Sequence, residues 1–159
     1  MNSAAPLMLS GKFRYHHLKE ASALAEFLGQ SCPNPRAAIM GLCEILVNAI
    51  EHGNLGITYD EKSALQKEDE WMTEIERRMN LPENSHKYVD VEFKRTESEI
   101  RITVIDQGKG FDWHCFEELN PEGKTAKHGR GIVVAKNLAF KYLEYAGKGN
   151  EVTCVIDLK

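Results

Sequence analysis

The chain has 159 residues, 42% of them hydrophobic and 28% charged, an ordinary composition for a soluble globular domain. A net charge of −4 and a pI near 5.9 exclude a broadly basic surface of the kind that grips nucleic acid or anionic membranes. No stretch approaches the ~20 apolar residues of a membrane span, and Cys32, Cys43, Cys115 and Cys154 form no Cys-x-x-Cys pair, which fits buried thiols in a reducing cytoplasm.

In chain order, residues 1–10 read as a loose tail, without the basic start of a secretory signal. Residues 11–159 then make one domain. Lys12 to His16 alternates, with Phe13 and Tyr15 on one side, as in a short strand. Leu18 to Gln30 carries apolar residues at 18, 21, 24, 25 and 28, a helical period. Cys32-Pro33-Asn34-Pro35 breaks that helix, and Asn34 with Pro35 starts a second one running to about His52. Gly53-Asn54-Leu55-Gly56 ends it. Thr58 to Asn80 is rich in Glu, Lys and Arg, with Leu65, Met72, Ile75 and Met79 at heptad-like spacing, and predicts one exposed amphipathic helix. Val89, Val91 and Phe93, then Ile100, Ile102 and Val104, alternate about Thr96-Glu97-Ser98, predicting a hairpin whose turn lacks a Gly or Asn signal. Asp106 to Gly110 is a glycine turn, 113–128 an irregular polar loop, and Gly131 to Tyr142 an apolar helix. Tyr142 to Ala146 and Val152 to Leu158 make a last antiparallel pair joined through Gly147-Lys148-Gly149-Asn150. This order predicts the α+β class: a two-layer α/β sandwich whose mostly antiparallel sheet is covered on one face by helices.

Three polar islands carry candidate chemistry. Ala37 to Ile50 is almost wholly apolar, yet Glu44 and Asn48 interrupt it four residues apart, and Glu51 and His52 follow seven and eight after Glu44. At 3.6 residues per turn they fall on one stripe. A carboxylate and an amide on a buried helix require partners: a metal ion, a water or a ligand phosphate. His52 reads most simply as a cation favoured by the helix C-terminal dipole. In the second island, Asp106 to Asp112, Gly108 and Gly110 let backbone approach a flat ligand and Asp106 offers an acceptor for an exocyclic amine; a glycine hairpin whose Asp caps its own backbone fits as well. The third, His128-Gly129-Arg130-Gly131, opens a helix whose free N–H groups attract anions, with Lys124 and Lys127 adding charge; a plain loop-to-helix junction is the alternative. Walker and Rossmann glycine patterns are absent.

Together, and in this order, the islands resemble the Asn box and two glycine boxes of the GHKL ATPases, also called the histidine-kinase-like or Bergerat ATP-binding fold. The chain is most similar to the small bacterial anti-sigma factor serine kinases, the switch-protein kinases. Glu44-x-x-x-Asn48-Ala49 matches the Asn box, Asp106-x-Gly108-x-Gly110 the first glycine box and Gly129-Arg130-Gly131-Ile132 the second. Gly149-Asn150-Glu151-Val152-Thr153 is similar to a last, weaker box. The resemblance spans about residues 12 to 158.

The resemblance implies that ATP sits between the helix of Glu44 and segment 113–128, which would act as a lid. It implies that Asn48 binds Mg²⁺, that Asp106 accepts from the adenine amino group, and that Gly108 and Gly110 line the base with Thr153 near it. Lys127, His128, Gly129, Arg130, Gly131 and Ile132 would hold the phosphates, and Glu44 would be the general base for a serine hydroxyl or a water. The implied substrate is a serine on a STAS-domain anti-anti-sigma factor, with a sigma factor as second partner. The chain departs from the simplest such kinases at 58–86, an apparent insertion. It reads either as a solvated helix or as a docking or dimerisation surface using Leu65, Trp71, Met72, Ile75 and Met79, through which a homodimer could form. Two other functions stand beside the kinase: a non-catalytic, ATP-dependent module that sequesters a regulator, and the detached catalytic domain of a two-component histidine kinase. Against the last, only about thirty residues precede the Asn-box helix, and His16, His17 and His52 are poor phospho-acceptors.

Overall fold

The computed structural model describes residues 3–110 and 139–159. Period-two alternation builds the sheet: β1 (Ser10–Tyr15), β2 (Val89–Arg95), β3 (Glu99–Ile105), β4 (Tyr142–Ala146) and β5 (Glu151–Asp157). Their spatial order is β1-β2-β3-β5-β4, with every neighbouring pair antiparallel. Val91, Phe93, Ile102, Val104, Val152 and Cys154 are buried on the side facing the helices. The opposite face is polar, crossed by Lys12–Glu92, Arg14–Asp90 and an Arg101 that reaches both Glu99 and Glu144. The β2–β3 turn needs no glycine because the Thr96 hydroxyl accepts from the N–H groups of Ser98 and Glu99.

The helical layer begins with α1 (Leu18–Gly29) and α2 (Pro35–Asn48). They cross closely at Gly29, where any Cβ would overlap Ile39. Asn34 caps α2 as its position suggests, its side chain accepting from Ala37 N–H at 3.4 Å. The buried Tyr15 hydroxyl donates to the Leu46 carbonyl at 2.6 Å, tying β1 to the end of α2. Cys32 and Cys154 are buried thiols. None of the described helices is long and apolar enough to cross a membrane.

Three local expectations change. The N-terminal segment is docked rather than loose: Ala5 is buried in a short 3₁₀ turn, its carbonyl accepts from the Ser31 hydroxyl at 2.7 Å, and Leu9 O accepts from Arg95 N–H. The second helix does not continue to His52 in α geometry. After Asn48 it passes into a π-helical turn, Ala49–Asn54, with Leu55 N–H donating to Ile50 O five residues back. The insertion is two helices, α3 (Tyr59–Lys67) and α4 (Trp71–Met79), because Asp69 adopts a left-handed φ of 57° and stops the first. A Thr58–Glu61 capping box starts α3. Ile75 is buried and Trp71 and Met79 pack against the main core, so these three face their own domain; Met72 is the large apolar residue left exposed.

Candidate active site

The end of α2, the π-turn and the glycine turn after β3 enclose a cavity of about 950 Å³. That is the size of a small-molecule site. Ile45, Ala49, Val104 and Val152 supply apolar wall, and Asn48, His52, Asp106, Gly108, Gly110 and Lys148 supply polar wall. The insertion closes another side with Arg77 and Arg78, and Lys87 follows it there.

The four polar residues of the first island part company. Asn48 is half-buried and opens into the cavity. Glu44, one turn earlier, is exposed and is not part of the cavity wall. The helix is therefore not buried all round: Arg36, Met40 and Glu44 share its solvent edge. The π-turn rotates Glu51 off the stripe and buries it at 2% exposure against Lys62 of α3, Nζ to Oε2 2.6 Å. Burial raises the Glu51 carboxyl above its ordinary value, and Lys62 partly offsets this.

His52 is not the helix-end cation expected. Burial lowers its pKa to about 4, so the ring is neutral at pH 7. It stacks on Tyr59, centroids 3.9 Å apart and planes inclined by 29°, and its Nδ1 bonds the Ile57 carbonyl.

Asp106 follows β3 directly and is held from several sides. Its N–H donates to Asn150 O at 2.9 Å, and its carbonyl accepts from Asn150 Nδ2 at 3.1 Å. Its Oδ1 accepts from Gly108 N–H at 2.7 Å, while Oδ2 has no hydrogen-bond partner among the described residues. The carboxylate thus caps its own turn and still presents one acceptor oxygen. Burial pushes its pKa up to about 6, against the pull of the Gly108 N–H and of Lys148 and Lys87. The glycines serve packing more directly than ligand approach. A Cβ at Gly53 would strike the Asp106 carboxylate, one at Gly108 the Gly53 carbonyl, and one at Gly110 the Lys148 carbonyl. Gly110 also has φ +83°, which favours glycine.

Sequence reasoning treated Gly53 and Asn54 only as a helix stop. Asn54 is 5% exposed and bridges the site: Oδ1 accepts from Gln107 N–H at 2.7 Å, and Nδ2 donates to Tyr88 O at 3.1 Å. Lys87 Nζ adds a bond to its carbonyl. The signal was an amide directly behind an apolar helix; Asn150, half-buried in the turn before β5, is a second amide that ties the site together. Thr153, expected near the ligand, lies on the other face of the sheet, its hydroxyl 3.0 Å from that of Thr103. Strand alternation gives its place on the cavity wall to Val152. Lys127, His128, Gly129, Arg130, Gly131 and Ile132, the lid segment 113–128 and Cys115 lie outside the described residues.

The residues present fit a magnesium nucleotide. Among the described residues no group of three or more His, Cys, Asp or Glu could hold a metal unaided. Magnesium that keeps waters and takes ligand phosphate oxygens needs only an added hard oxygen, which Asn48 can supply. Lys87, Lys148 and Arg77 give the cavity cationic groups for an anionic ligand.

A family model described as a histidine kinase-like ATPase domain matches residues 17–156. No curated protein matches the chain significantly. With a helix-covered antiparallel sheet and with Asn48 and Asp106 opening into one cavity, the chain belongs to the histidine kinase-like ATPase domains, a family that binds ATP.

Proposed function

We propose that the domain binds Mg·ATP and transfers the γ-phosphoryl group to a serine of a STAS-domain antagonist, as a cytoplasmic anti-sigma-type serine kinase with a sigma factor as its second partner. One observation carries this reading: Asn48, from α2, and Asp106, from the end of β3, present an amide and a carboxylate to the same cavity. The Asp106 oxygen that takes no hydrogen bond among the described residues suits the adenine amino group. Magnesium, when bound, neutralises phosphate charge, and most of the catalysis is then positioning. Lys127, His128, Gly129, Arg130, Gly131 and Ile132 are assigned to the phosphates by the family resemblance alone.

In transfer, the serine Oγ attacks the γ-phosphorus while Glu44 takes the hydroxyl proton. The bond to the β,γ-bridging oxygen breaks and ADP leaves with the electron pair. The exposure of Glu44, one turn before Asn48, leaves it accessible to a hydroxyl carried by another protein. Its place off the cavity wall also favours the rival reading, a module that binds ATP and a regulator without chemistry. Incubation with γ-labelled ATP and STAS-domain proteins decides. The kinase reading expects label on serine, reduced about 10²- to 10⁴-fold by Glu44→Ala with nucleotide affinity kept. Binding without transfer by the wild type supports the module, and equal transfer by the variant removes Glu44 as base.

A further inference from the structure

We infer that the outer edge of β1 is a docking site for an extended segment of a partner protein in which acidic and apolar residues alternate. The inference stands apart from the nucleotide cavity and does not depend on it.

β1 is an end strand. Among the described residues it pairs with β2 and has no neighbour on its other side. Arg95 N–H donates to Leu9 O at 2.8 Å, which sets the phase of the ladder. By antiparallel alternation Gly11, Phe13 and Tyr15 bond β2, so Ser10, Lys12 and Arg14 turn their N–H and C=O groups outward. Such a row of open donors and acceptors is a template for one more strand.

The side chains on either side of this edge select what the added strand must carry. On the helix side Leu9 is 70% exposed, and Phe13 meets the exposed Phe27 of α1 edge to face, ring centroids 6.0 Å apart. An apolar strip therefore borders the edge. On the open face stand Lys12 and Arg14. β2 already answers this pattern once: Val91 lies opposite Phe13, Asp90 opposite Arg14 and Glu92 opposite Lys12. The cations reach those carboxylates, Arg14 Nε to Asp90 at 2.7 Å and Lys12 Nζ to Glu92 at 3.4 Å. The Lys12 side chain is still 84% exposed, with donors left for a second carboxylate on its free side. A strand with the same alternation of acid and apolar residue is thus complementary to the edge in backbone, apolar strip and charge. A second copy of β1 is not. Full-length antiparallel self-pairing, centred on Lys12 or on Phe13, sets cation directly opposite cation, which is destabilising.

The test titrates the full chain with two capped peptides, Thr-Val-Asp-Val-Glu-Phe-Asp and its counterpart with lysine at every acidic position, followed by amide spectra and hydrogen exchange. In the free chain the amides of Ser10, Lys12 and Arg14 should exchange fast, because they are unbonded. The acidic peptide should slow all three, and the lysine peptide should bind about fivefold or more weakly. Lys12→Glu should narrow or reverse that preference. Lys12→Pro removes one outward N–H without touching the ladder to β2 and should abolish binding of the acidic peptide. No protection of these amides at millimolar acidic peptide overturns the inference, as does equal binding of both peptides. Slow exchange in the chain alone overturns it too: protection that grows with protein concentration assigns the edge to a second copy, and protection independent of concentration assigns it to another part of this chain. Should Lys12→Pro not fold, the wild-type exchange rates with the two peptides decide alone.

Discussion

Replacing Lys62 by methionine isolates the contact that anchors the insertion. Glu51 is 2% exposed and its Oε2 lies 2.6 Å from Lys62 Nζ, whose side chain is 26% exposed. Removing one partner of a buried pair costs about 3–5 kcal/mol, because the other charge stays buried without its counter-charge. The partial exposure of Lys62 admits water and the Trp71 side chain still bonds Glu51, so the cost falls below that range, to about 2–3 kcal/mol. For a domain of this size that lowers the melting temperature by about 5–10 °C. The pH dependence gives a second reading with a defined sign. Burial already raises the folded Glu51 carboxyl above 4.5, with Lys62 opposing, and loss of Lys62 raises it further. A raised carboxyl costs stability where it is ionised, and that cost vanishes as pH falls below its unfolded value. The deficit of Lys62→Met should therefore shrink as pH is lowered from neutrality towards 4.5. Glu51→Gln in the same chain should recover most of it at pH 7. Urea unfolding of the single and double variants measures both effects. A Lys62→Met deficit below about 0.5 kcal/mol, or one independent of pH, refutes the buried-pair reasoning.

Further outcomes follow from the site. Below about pH 6 Asp106 takes up a proton, so ATP affinity should fall through that range in the wild type and be weak and flat in Asp106→Asn, as read by calorimetry. The same raised carboxyl costs stability as pH rises through about 6, and Asp106→Asn should lack that component in urea titrations across pH. Asn54→Ala removes bonds to Gln107 N–H and Tyr88 O and should cost about 2 kcal/mol of unfolding free energy. Gly108→Ala should weaken nucleotide binding about tenfold or more by displacing the turn from the Gly53 carbonyl, a shift visible in amide spectra; wild-type affinity would show that the contact relaxes freely.

Features set by local rules were legible in the residues. The alternation around Val91, Phe93, Ile100, Ile102 and Val104 places the central strands, and Asn34-Pro35 marks the start of α2, because side-chain period and capping act over a few positions. Asn48 and Asp106 could be found because each sits at the end of an apolar element. What escaped depends on tertiary contact. The π-turn, which sends Glu51 to Lys62 and His52 to Tyr59, has no signature in periodicity. Gly53 and Gly108 read as turn residues, but their need is mutual: each clears space for a group on the facing loop. Thr153 lies on the far face of the sheet; a box match does not say which way a strand position faces, whereas its register with Thr103 does. The break at Asp69 lies in a charged run that a helical period tolerates equally well.

The central claim is that one cavity takes a magnesium nucleotide between Asn48 and Asp106. Calorimetric titration of ATP into the wild type and Asn48→Ala, with magnesium and with a chelator in its place, measures it directly. The account predicts saturable, magnesium-dependent binding by the wild type and loss of the magnesium dependence in the variant. A wild type that takes up no heat of binding, or an Asn48→Ala chain indistinguishable from it under both conditions, would contradict it.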